Sequence, residues 1–449
     1  MTTRSALALR NQLASGERSS REVTEEFLHK IEQLDSLGAF VYVDPEGALQ
    51  AADKADARFA EGNVGRLHGL PTAFKDLNEV MGMPTTYGSK AMEAQVAMAD
   101  HPLVAQVRAE GAVIVGKTQV PEFGLSTYSE NLVAAPSRNP LDSRLSSGGS
   151  SGGQAAAIAA GMIPVGAGSD GGGSVRIPSA ACGLVGLKPS LGRVPSDVVD
   201  GYNDSFGAPK FTVSGPMAHD ALDAAMFFDA MLGVDHYLPK LQGGYPHKLR
   251  NLNIGYSAQS PFDPVYPISL EPAARQAFER GLKLLNERHR VEPANFNYAE
   301  DYPQTFAMVW TNSLKSLPVC DESLLGTLAR EFRRRSMARP LAQGLQAATR
   351  IRQIGADFIT QWSAFDVVVT PGMASAPPPI GYYTAHDADT DYRLQCQYTP
   401  YTSMVNVSSA AAISVPVSTS IDGMPMSIQL ISPRGDEGLL LGLAHQLLL

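Results

Sequence analysis

Two serines that lie twenty-four residues apart, Ser150 and Ser174, stand out in this sequence because glycine surrounds both of them. The stretch 146–174 holds ten glycines and six serines. Glycine at this density costs backbone entropy, and it is the residue that allows a positive φ or a close approach of the backbone. We therefore predict an active site in which backbone N–H groups converge on a small group beside a serine hydroxyl.

One interpretation of this stretch makes Ser150 the nucleophile. Residues 148–152 have the pattern Gly-x-Ser-x-Gly, which is typical of the attacking serine of α/β-hydrolases. Such an esterase also needs a histidine later in the chain, and the candidates have no distinctive setting: His219, His236, His247, His289, His386 and His445. This interpretation gives residues 170–176 no role, but it stays open as an alternative.

Two further glycine patterns have the spacing of nucleotide-binding motifs but lack the surroundings that these motifs need. Residues 111–118 match the phosphate-loop spacing, yet the residues between the two glycines form a predicted strand. Residues 166–171 match the dinucleotide-binding spacing, yet Gly172, Gly173 and Pro178 follow where a helix should begin. We therefore expect no nucleotide, and no cofactor of any kind.

The elements that must position these residues alternate between strand and helix. A capping box at 19–22 predicts the start of a helix with an apolar face. Strands are predicted at 72–75, 112–115, 162–165, 365–369 and 412–415. Helical patterns occur at 103–109, 154–160, 268–292 and 320–362. Alternation of this kind indicates an α/β fold with a central mixed β-sheet flanked by helices.

A change in residue pattern after position 234 predicts the domain organisation. Glycine becomes infrequent beyond it, and clear strand patterns return only at 365. We predict a single domain whose core is built from about 1–234 and 365–449. A mainly helical insertion at about 235–364 separates the two parts of that core.

Several spaced motifs together resemble the amidase signature family. Gly-Gly-Ser-Ser-Gly-Gly at 148–153 and Gly-Ser-Asp-Gly-Gly-Gly-Ser-Val-Arg-Ile-Pro at 168–178 are the most specific of them. The others lie at 69–76, 116–123, 139–140 and 182–189, with weaker matches at 414–416, 423–425 and 429. The resemblance is strong over residues 60–230 and weak over 365–449, and it implies the amidase signature fold and a hydrolase of amides.

The resemblance implies roles for three residues of this sequence. Ser174 matches the nucleophile, Ser150 matches a bridging serine that follows a cis peptide bond, and Lys75 matches the terminal base. A free lysine, with a pKa of about 10.4, would be protonated, but burial disfavours the ammonium form and lowers the pKa. We expect Ser150 to relay a proton from Ser174 to neutral Lys75 and then back to the leaving amine.

The loop before the nucleophile is expected to stabilise the oxyanion. Its predicted donors are four consecutive backbone N–H groups, those of Gly171, Gly172, Gly173 and Ser174. Asp170 and Arg176 flank the loop, and we expect them to hold it as an ion pair rather than to react. Ser151 is predicted to support the site through a further hydroxyl, and Lys117 is expected to extend from a strand end towards solvent.

The substrate is less determined than the reaction. We favour an amidase for linear small, aryl or apolar carboxamides, with ester and carbamate (urethane) hydrolysis as further activities. The alternatives are a carbamate-specific urethanase and the A-type subunit of an amidotransferase, although Ile177 replaces the glutamine usual in that subunit. Tyr128, Tyr398 and Tyr401 are predicted to line the pocket, with core packing an equal alternative. Gly171 stands where the family often has threonine or isoleucine.

Composition excludes several classes of partner. A net charge of −9 argues against a nucleic-acid or anionic-membrane surface. Three scattered cysteines are too few for a disulfide framework or a zinc site. We therefore expect a cytoplasmic enzyme that takes a small-molecule substrate without a metal, a membrane or a nucleic acid, and a homodimer is left open. The arginine run 333–335 is predicted to be a solvated helix face.

Overall fold

The computed structural model describes residues 5–62 and 64–449. Residues 1–4, which the predicted core includes, and residue 63 lie outside the described residues. The strands are β1 Phe40–Val43, β2 Pro71–Lys75, β3 Pro84–Thr85, β4 Gln95–Val96, β5 Val113–Thr118, β6 Arg138–Asn139, β7 Asp142–Ser146, β8 Gly166–Asp170, β9 Val185–Lys188, β10 Val213–Ala218, β11 Asn253–Tyr256, β12 Arg290–Pro293, β13 Val367–Pro371, β14 Ala411–Thr419 and β15 Pro425–Ser432. The helices are α1 Ala6–Ser15, α2 Ser20–Gln33, α3 Pro45–Ala60, α4 Pro102–Ala109, α5 Gly152–Ala159, α6 Arg176–Cys182, α7 Ala221–Leu232, α8 Tyr237–Gln242, α9 Tyr245–Lys248, α10 Pro272–Asn286, α11 Tyr302–Asn312, α12 Thr327–Ala338, α13 Leu341–Trp362, α14 Ala388–Tyr398, α15 Ser403–Val407 and α16 Glu437–Leu448.

The largest sheet has eight strands in the order β12-β11-β13-β15-β14-β9-β10-β8. β11 runs parallel to β12 and β13, and the remaining neighbours are antiparallel. The helices α7, α10 and α16 bury their apolar side chains against it, in a cluster that includes Phe227, Phe278 and Leu440. The predicted α/β class with a mixed sheet flanked by helices is therefore confirmed.

A smaller sheet, in the order β1-β5-β2, carries the strand that ends at Lys75. β2 and β5 are parallel, with Lys75 opposite Thr118. All five residues of β2 are buried. Because the strand is covered on both faces, its last side chain lies inside the protein rather than in water.

The segment 235–364 is mainly helical, and it also extends the large sheet. Its strands β11 and β12 lie at the edge opposite β8. Its helices α11 and α13 form a second apolar cluster, together with the residues of 396–412, that includes Phe306, Phe358 and Met404. This cluster lies beneath the cleft described below, so the segment forms part of the wall of the site.

Local structure confirms one sequence prediction and corrects two others. Ser19 caps α2 by accepting the Glu22 N–H, as the capping box predicted. The predicted strand at 162–165 is wrong, because the Ala157 carbonyl accepts the N–H groups of residues 162 and 163 to close α5, and the strand begins only at 166. The solvated face predicted at 333–335 is wrong for Arg333, which is buried and donates to the carbonyls of residues 314 and 317.

Candidate active site

Lys75 ends β2 at the point where this strand meets β8. Thr72, on the same strand, donates from Oγ1 to the Val165 carbonyl at 2.9 Å and so joins β2 to the residues before β8. The Lys75 side chain is 1 % exposed. Its Nζ lies 2.7 Å from Ser150 Oγ and 2.9 Å from Ser169 Oγ, and it donates to the Ser169 carbonyl at 3.2 Å. All of these partners are neutral oxygen atoms.

The surroundings of Lys75 favour its neutral amine. Burial lowers the pKa of Lys75 from 10.5 to about 7, and the charge of Asp170 opposes that shift. Desolvation is the larger effect because the ammonium loses its hydration in the interior, whereas the amine has little hydration to lose. A large fraction of the Lys75 side chains can therefore act as a base at neutral pH, which a solvated lysine cannot do.

Ser150 lies in the turn between β7 and α5, and glycines shape its backbone. Gly148 has a φ of +80°, and the peptide bond between Gly149 and Ser150 is cis, as expected from the family resemblance. A Cβ atom on Gly149 would lie 2.6 Å from the backbone nitrogen of Tyr128. Only glycine therefore allows the turn to approach the neighbouring loop this closely.

Ser174 lies in the loop between β8 and α6, at the floor of a cleft. It is 7 % exposed, whereas Ser150 is 2 % exposed. The Ser174 carbonyl accepts a hydrogen bond from the Ser151 N–H at 3.3 Å. This bond joins the loop of Ser174 to the turn of Ser150, and Lys75 contacts that turn from β2. Of the three residues, Ser174 is thus the one that a substrate in the cleft can reach.

A buried ion pair holds the loop that leads to Ser174. Arg176 donates from Nη2 to Asp170 Oδ1 at 2.8 Å and from Nε to Asp170 Oδ2 at 2.9 Å. The backbone N–H groups of Gly173 and Val175 also donate to this carboxylate, at 2.7 and 3.1 Å. Burial by itself would raise the pKa of Asp170, but the charge and hydrogen bonds of Arg176 outweigh it and hold that pKa well below its usual range. This geometry suits a pair that positions the loop without reacting.

Arg176 also joins the loop to the C-terminal part of the chain. Its Nη1 donates to the Thr402 carbonyl at 2.9 Å and to Gln429 Oε1 at 2.5 Å, and its Nη2 donates to Asn406 Oδ1 at 2.7 Å. Asn406 in turn donates to the Asp170 carbonyl at 2.8 Å. Sequence reasoning missed Thr402 and Asn406, because their segment departs from the family pattern. The available signal was a polar residue within a run of apolar ones.

The predicted oxyanion donors do not all have a free N–H group. That of Gly173 is donated to Asp170, so this residue shapes the backbone instead. Its φ is +131°, and a Cβ atom there would lie 2.5 Å from Thr402 Oγ1. The residues that keep the predicted donor role are Gly171, Gly172 and Ser174.

The cleft at Ser174 is narrow, with a volume of about 50 Å³, and its walls are mainly apolar. Four aromatic side chains line it: Phe262, Phe306, Trp310 and Tyr392. Sequence reasoning missed all four, although Tyr302, Phe306 and Trp310 recur at helical spacing on α11. Ile177, next to Arg176, adds an aliphatic wall.

The three tyrosines predicted to line the substrate pocket lie elsewhere, which corrects that expectation. Tyr398 and Tyr401 are buried in the core, the alternative that the sequence left open. Tyr128 stacks on Tyr383 with ring centroids 4.8 Å apart and donates to Asp391 Oδ2 at 2.7 Å. It lines a neighbouring cavity of about 440 Å³ rather than the cleft.

A second buried lysine lies on the strand beside Lys75. The expectation that Lys117 extends towards solvent is wrong, since neither its side chain nor that of Asp76 is exposed. Lys117 Nζ donates to Asp76 Oδ1 at 2.8 Å and to Thr85 Oγ1 at 2.8 Å. The physical reason is that Asp76 is itself buried, and a buried carboxylate requires a counter-charge and hydrogen bonds.

The alternative with Ser150 as an α/β-hydrolase nucleophile is wrong. That motif places its serine where a strand of the main sheet passes into a helix, but β7 pairs with β6 in a separate two-stranded sheet. Ser150 Oγ contacts Lys75 Nζ. Among residues 5–62 and 64–449, no histidine lines the cleft at Ser174.

The part of the chain that the structure describes contains neither a cluster of metal ligands nor a helix that could span a membrane. In that part, no group of three or more His, Cys, Asp and Glu side chains could hold a metal ion. None of the helices described above combines the length and the apolar character that crossing a bilayer requires.

The chain is similar to known proteins over almost its whole length. The family model described as Amidase matches residues 22–441. A Mycobacterium tuberculosis protein named as the amidase AmiB2 is 36% identical to this chain over 454 residues. The match covers 98% of this chain and 95% of that protein. The A-type glutamyl-tRNA(Gln) amidotransferase subunit of Chromohalobacter salexigens is 33% identical over 468 residues, which cover 97% of this chain and 94% of that protein.

The fold is also similar to that of a known enzyme. The solved structure of 6-aminohexanoate cyclic dimer hydrolase, complexed with its substrate, is similar with a TM-score of 0.87 at 26% identity. The similarity covers 99% of this chain and 96% of that chain. The family match and these likenesses agree with the order of the glycine and serine motifs. The chain belongs to the amidase signature family and is a hydrolase that acts on amides.

Proposed function

We propose that the chain hydrolyses carboxamides through an acyl-enzyme on Ser174, with Ser150 as proton relay and Lys75 as base. The observation that carries this proposal is the 2.7 Å distance between the buried Lys75 Nζ and Ser150 Oγ. A serine hydroxyl is a weak nucleophile and needs a base nearby. An amine with a pKa of about 7 can take up a proton at neutral pH.

The hydrogen bonds of Lys75 suit a neutral amine, which has two N–H groups and one lone pair. The Ser169 carbonyl can only accept, so Lys75 must donate one N–H to it. Ser169 Oγ can accept the second N–H. The lone pair is then available for the hydroxyl proton of Ser150, which is the direction that the relay requires.

The proposed reaction has two stages. Ser174 Oγ attacks the amide carbon while its proton passes to Ser150 Oγ and the proton of Ser150 passes to Lys75. The carbonyl electron pair moves onto oxygen, where the N–H groups of Gly171, Gly172 and Ser174 stabilise it. The C–N bond then breaks, and the leaving nitrogen takes the proton back through Ser150. Water repeats the sequence on the ester, releasing the acid and restoring Ser174.

For the substrate class we propose linear amides with an aryl or apolar acyl group. The aromatic lining of the cleft and the aliphatic side chain of Ile177 support this choice. Esters and carbamates pass through the same kind of tetrahedral intermediate, so we include them as further activities. Cyclic amides belong in the same test, because the similar solved structure acts on a cyclic dimer.

A second candidate function is the A-type subunit of an amidotransferase, which the 33% identity to such a protein favours. That subunit usually has glutamine after the arginine of the nucleophile loop, whereas this chain has Ile177 on the cleft wall. An apolar wall suits an apolar acyl group better than a polar one. We therefore rank the free-standing hydrolase first.

The test is turnover by the purified chain alone, on a panel of p-nitroanilides, a p-nitrophenyl ester, an aryl carbamate and a cyclic amide. We expect anilide hydrolysis that Ser174→Ala and Ser150→Ala each reduce by at least about 100-fold. Ser147→Ala is the matched control, since this buried serine of the same stretch donates to the Ser137 carbonyl at 3.0 Å. Its rate should stay close to that of the wild type. Turnover that appears only with added partner subunits would favour the amidotransferase instead.

We also propose that both ends of the chain form one catalytic domain around the segment 235–364. The contacts of Arg176 with Thr402, Asn406 and Gln429 support this, since they link the loop to the C-terminal part. A single cooperative transition in calorimetry is the expected result, and two separate transitions would contradict it.

A further inference from the structure

The first glycine of the nucleophile loop lies directly beneath an indole ring. A Cβ atom on Gly171 would lie 2.9 Å from Trp310 Cζ3 and 2.8 Å from Thr212 Oγ1. Thr212 is an exposed residue whose side chain can turn away, but the indole ring can give way only by moving as a whole. Residue 171 can therefore be larger than glycine only if Trp310 is smaller or displaced.

The ring of Trp310 is held in place by a stack of aromatic side chains. Trp310 stacks on Phe306 with centroids 5.9 Å apart and planes 15° apart. Phe306 stacks in turn on Tyr302, at 5.8 Å and 9°, and on Phe211, at 5.7 Å and 16°. The Tyr302 hydroxyl lies 2.8 Å from Ser403 Oγ. Packing of this kind restricts the rotation of each ring, so the indole is a fixed part of the cleft wall.

The neighbouring glycine has more room above it. A Cβ atom on Gly172 would lie 3.7 Å from Phe306 Cζ and 4.0 Å from Ser403 Cβ, which is ordinary van der Waals contact. The cleft is thus open above Gly172 and closed above Gly171. Trp310 is the residue that closes it, and it also lines the cleft together with Ser174.

We propose that Trp310 determines acyl specificity by excluding substrates that are branched at the carbon next to the carbonyl. The inference rests on the proposed function, because it requires the substrate carbonyl to lie between Ser174 and the loop. An oxygen held by the loop N–H groups places the adjacent acyl carbon in van der Waals range of the residues that cover the loop. A flat or unbranched acyl group fits under the indole, whereas methyl branches would meet the ring.

The experiment compares two p-nitroanilides, one of butyric acid and one of trimethylacetic acid, on the purified chain. We expect the wild type to prefer the unbranched substrate. Trp310→Leu should raise the ratio of kcat/KM for the branched over the unbranched anilide by about 10-fold or more, because poorly fitting methyl groups in a pocket have effects of this size. Trp310→Phe keeps a ring of smaller size and should raise the ratio less.

The matched control is Phe211→Leu. This change removes a ring from the same stack on Phe306, but Phe211 does not line the cleft. The ratio should therefore rise much less than in Trp310→Leu, because the indole itself is kept. A ratio that rises equally in Phe211→Leu and Trp310→Leu would overturn the inference, since loosening of the stack would then explain both.

A second measurement tests the pairing of Gly171 with Trp310. Gly171→Ala should lower the thermal unfolding midpoint and kcat/KM, and Trp310→Leu in the same chain should restore much of both. A double variant no better than Gly171→Ala contradicts the packing on which the inference depends. If the wild type hydrolyses the anilides but the ratio is unchanged in both Trp310 variants, the inference is overturned and the proposed function is not. A folded wild type that hydrolyses neither anilide overturns the proposed function, and this inference with it.

Discussion

Two lysines on neighbouring strands are equally buried but have opposite surroundings. The hydrogen-bond partners of Lys75, at the end of β2, are the hydroxyl oxygens of two serines and one serine carbonyl. Lys117, on β5, contacts the Asp76 carboxylate at 2.8 Å. Burial lowers the pKa of both lysines, but in Lys117 the charge of Asp76 opposes that effect at short range. The comparison shows that the partner, more than the burial, decides whether a lysine serves as a base or as half of an ion pair.

The largest expected effect comes from removing the base. Lys75→Met should lower kcat/KM for an anilide by about 100-fold to 10,000-fold, the range that a lost general base usually gives. Methionine keeps the length and the apolar stem, so the fold should survive. The measurement is hydrolysis at pH 8, with circular dichroism as the check on folding. Activity within a few-fold of the wild type would remove Lys75 from the mechanism.

The same substitution on the neighbouring strand should act on stability. Lys117→Met leaves the buried Asp76 carboxylate without its counter-charge, and breaking a buried pair in this way costs about 3–5 kcal/mol. Urea unfolding should report a loss of this size, whereas Lys75→Met should show little or none. Equal losses at the two sites would mean that the lysines do not differ as the structure indicates.

The pH dependence of the rate and of the stability should report the lowered pKa of Lys75. Because the pKa of Lys75 is lowered to about 7 from 10.5, kcat/KM should rise with pH through about 7 and then level off. Between about 7 and 10.5 the unfolded chain binds a proton at this position that the folded chain does not. The stability of the wild type relative to Lys75→Met should therefore increase with pH across that window. A rate that does not change from pH 5.5 to 9 would contradict a lysine base.

The smallest expected effect is a shift of the pH profile caused by the charges of Asp76 and Lys117. Asp76→Asn removes a negative charge next to Lys75 and leaves the Lys117 ammonium unbalanced, so the midpoint of the pH profile should move to lower pH. Lys117→Gln leaves the carboxylate unbalanced and should move it to higher pH. Each shift should be less than about one unit, because burial is the larger contribution to the pKa of Lys75 and Asp170 is the charge that mainly opposes it. Shifts of the same sign in the two variants would contradict this account.

The sequence was most informative where neighbours in the chain determine the structure. The capping box at Ser19, the buried strand 71–75 and the small-residue helix after Ser150 depend on local patterns, and each is present. The two serines indicated the site because the glycines around them are required for close approach of the backbone. These features could be predicted because their physical causes lie within a few residues of them.

The errors have the opposite origin, since they concern partners that are distant in the sequence. Lys117 was expected in solvent because Asp76 lies 41 residues away. Arg333 was treated as one of three like charges, whereas its acceptors lie 16 and 19 residues before it. The aromatic wall of the cleft was missed because Trp310 meets Gly171 only after the segment 235–364 packs on the nucleophile loop.

The buried guanidinium of Arg176 has a consequence for the order of events during synthesis. Its acceptor Gln429 follows 253 residues later in the chain, and ribosomes add about 5–20 residues per second. The nucleophile loop therefore emerges on the order of tens of seconds before the groups that fix it. A partly made chain already has both serines and Lys75, but it lacks the residues that hold the loop in its working shape. Hydrolytic activity should thus begin only when the C-terminal part of the chain folds onto the rest.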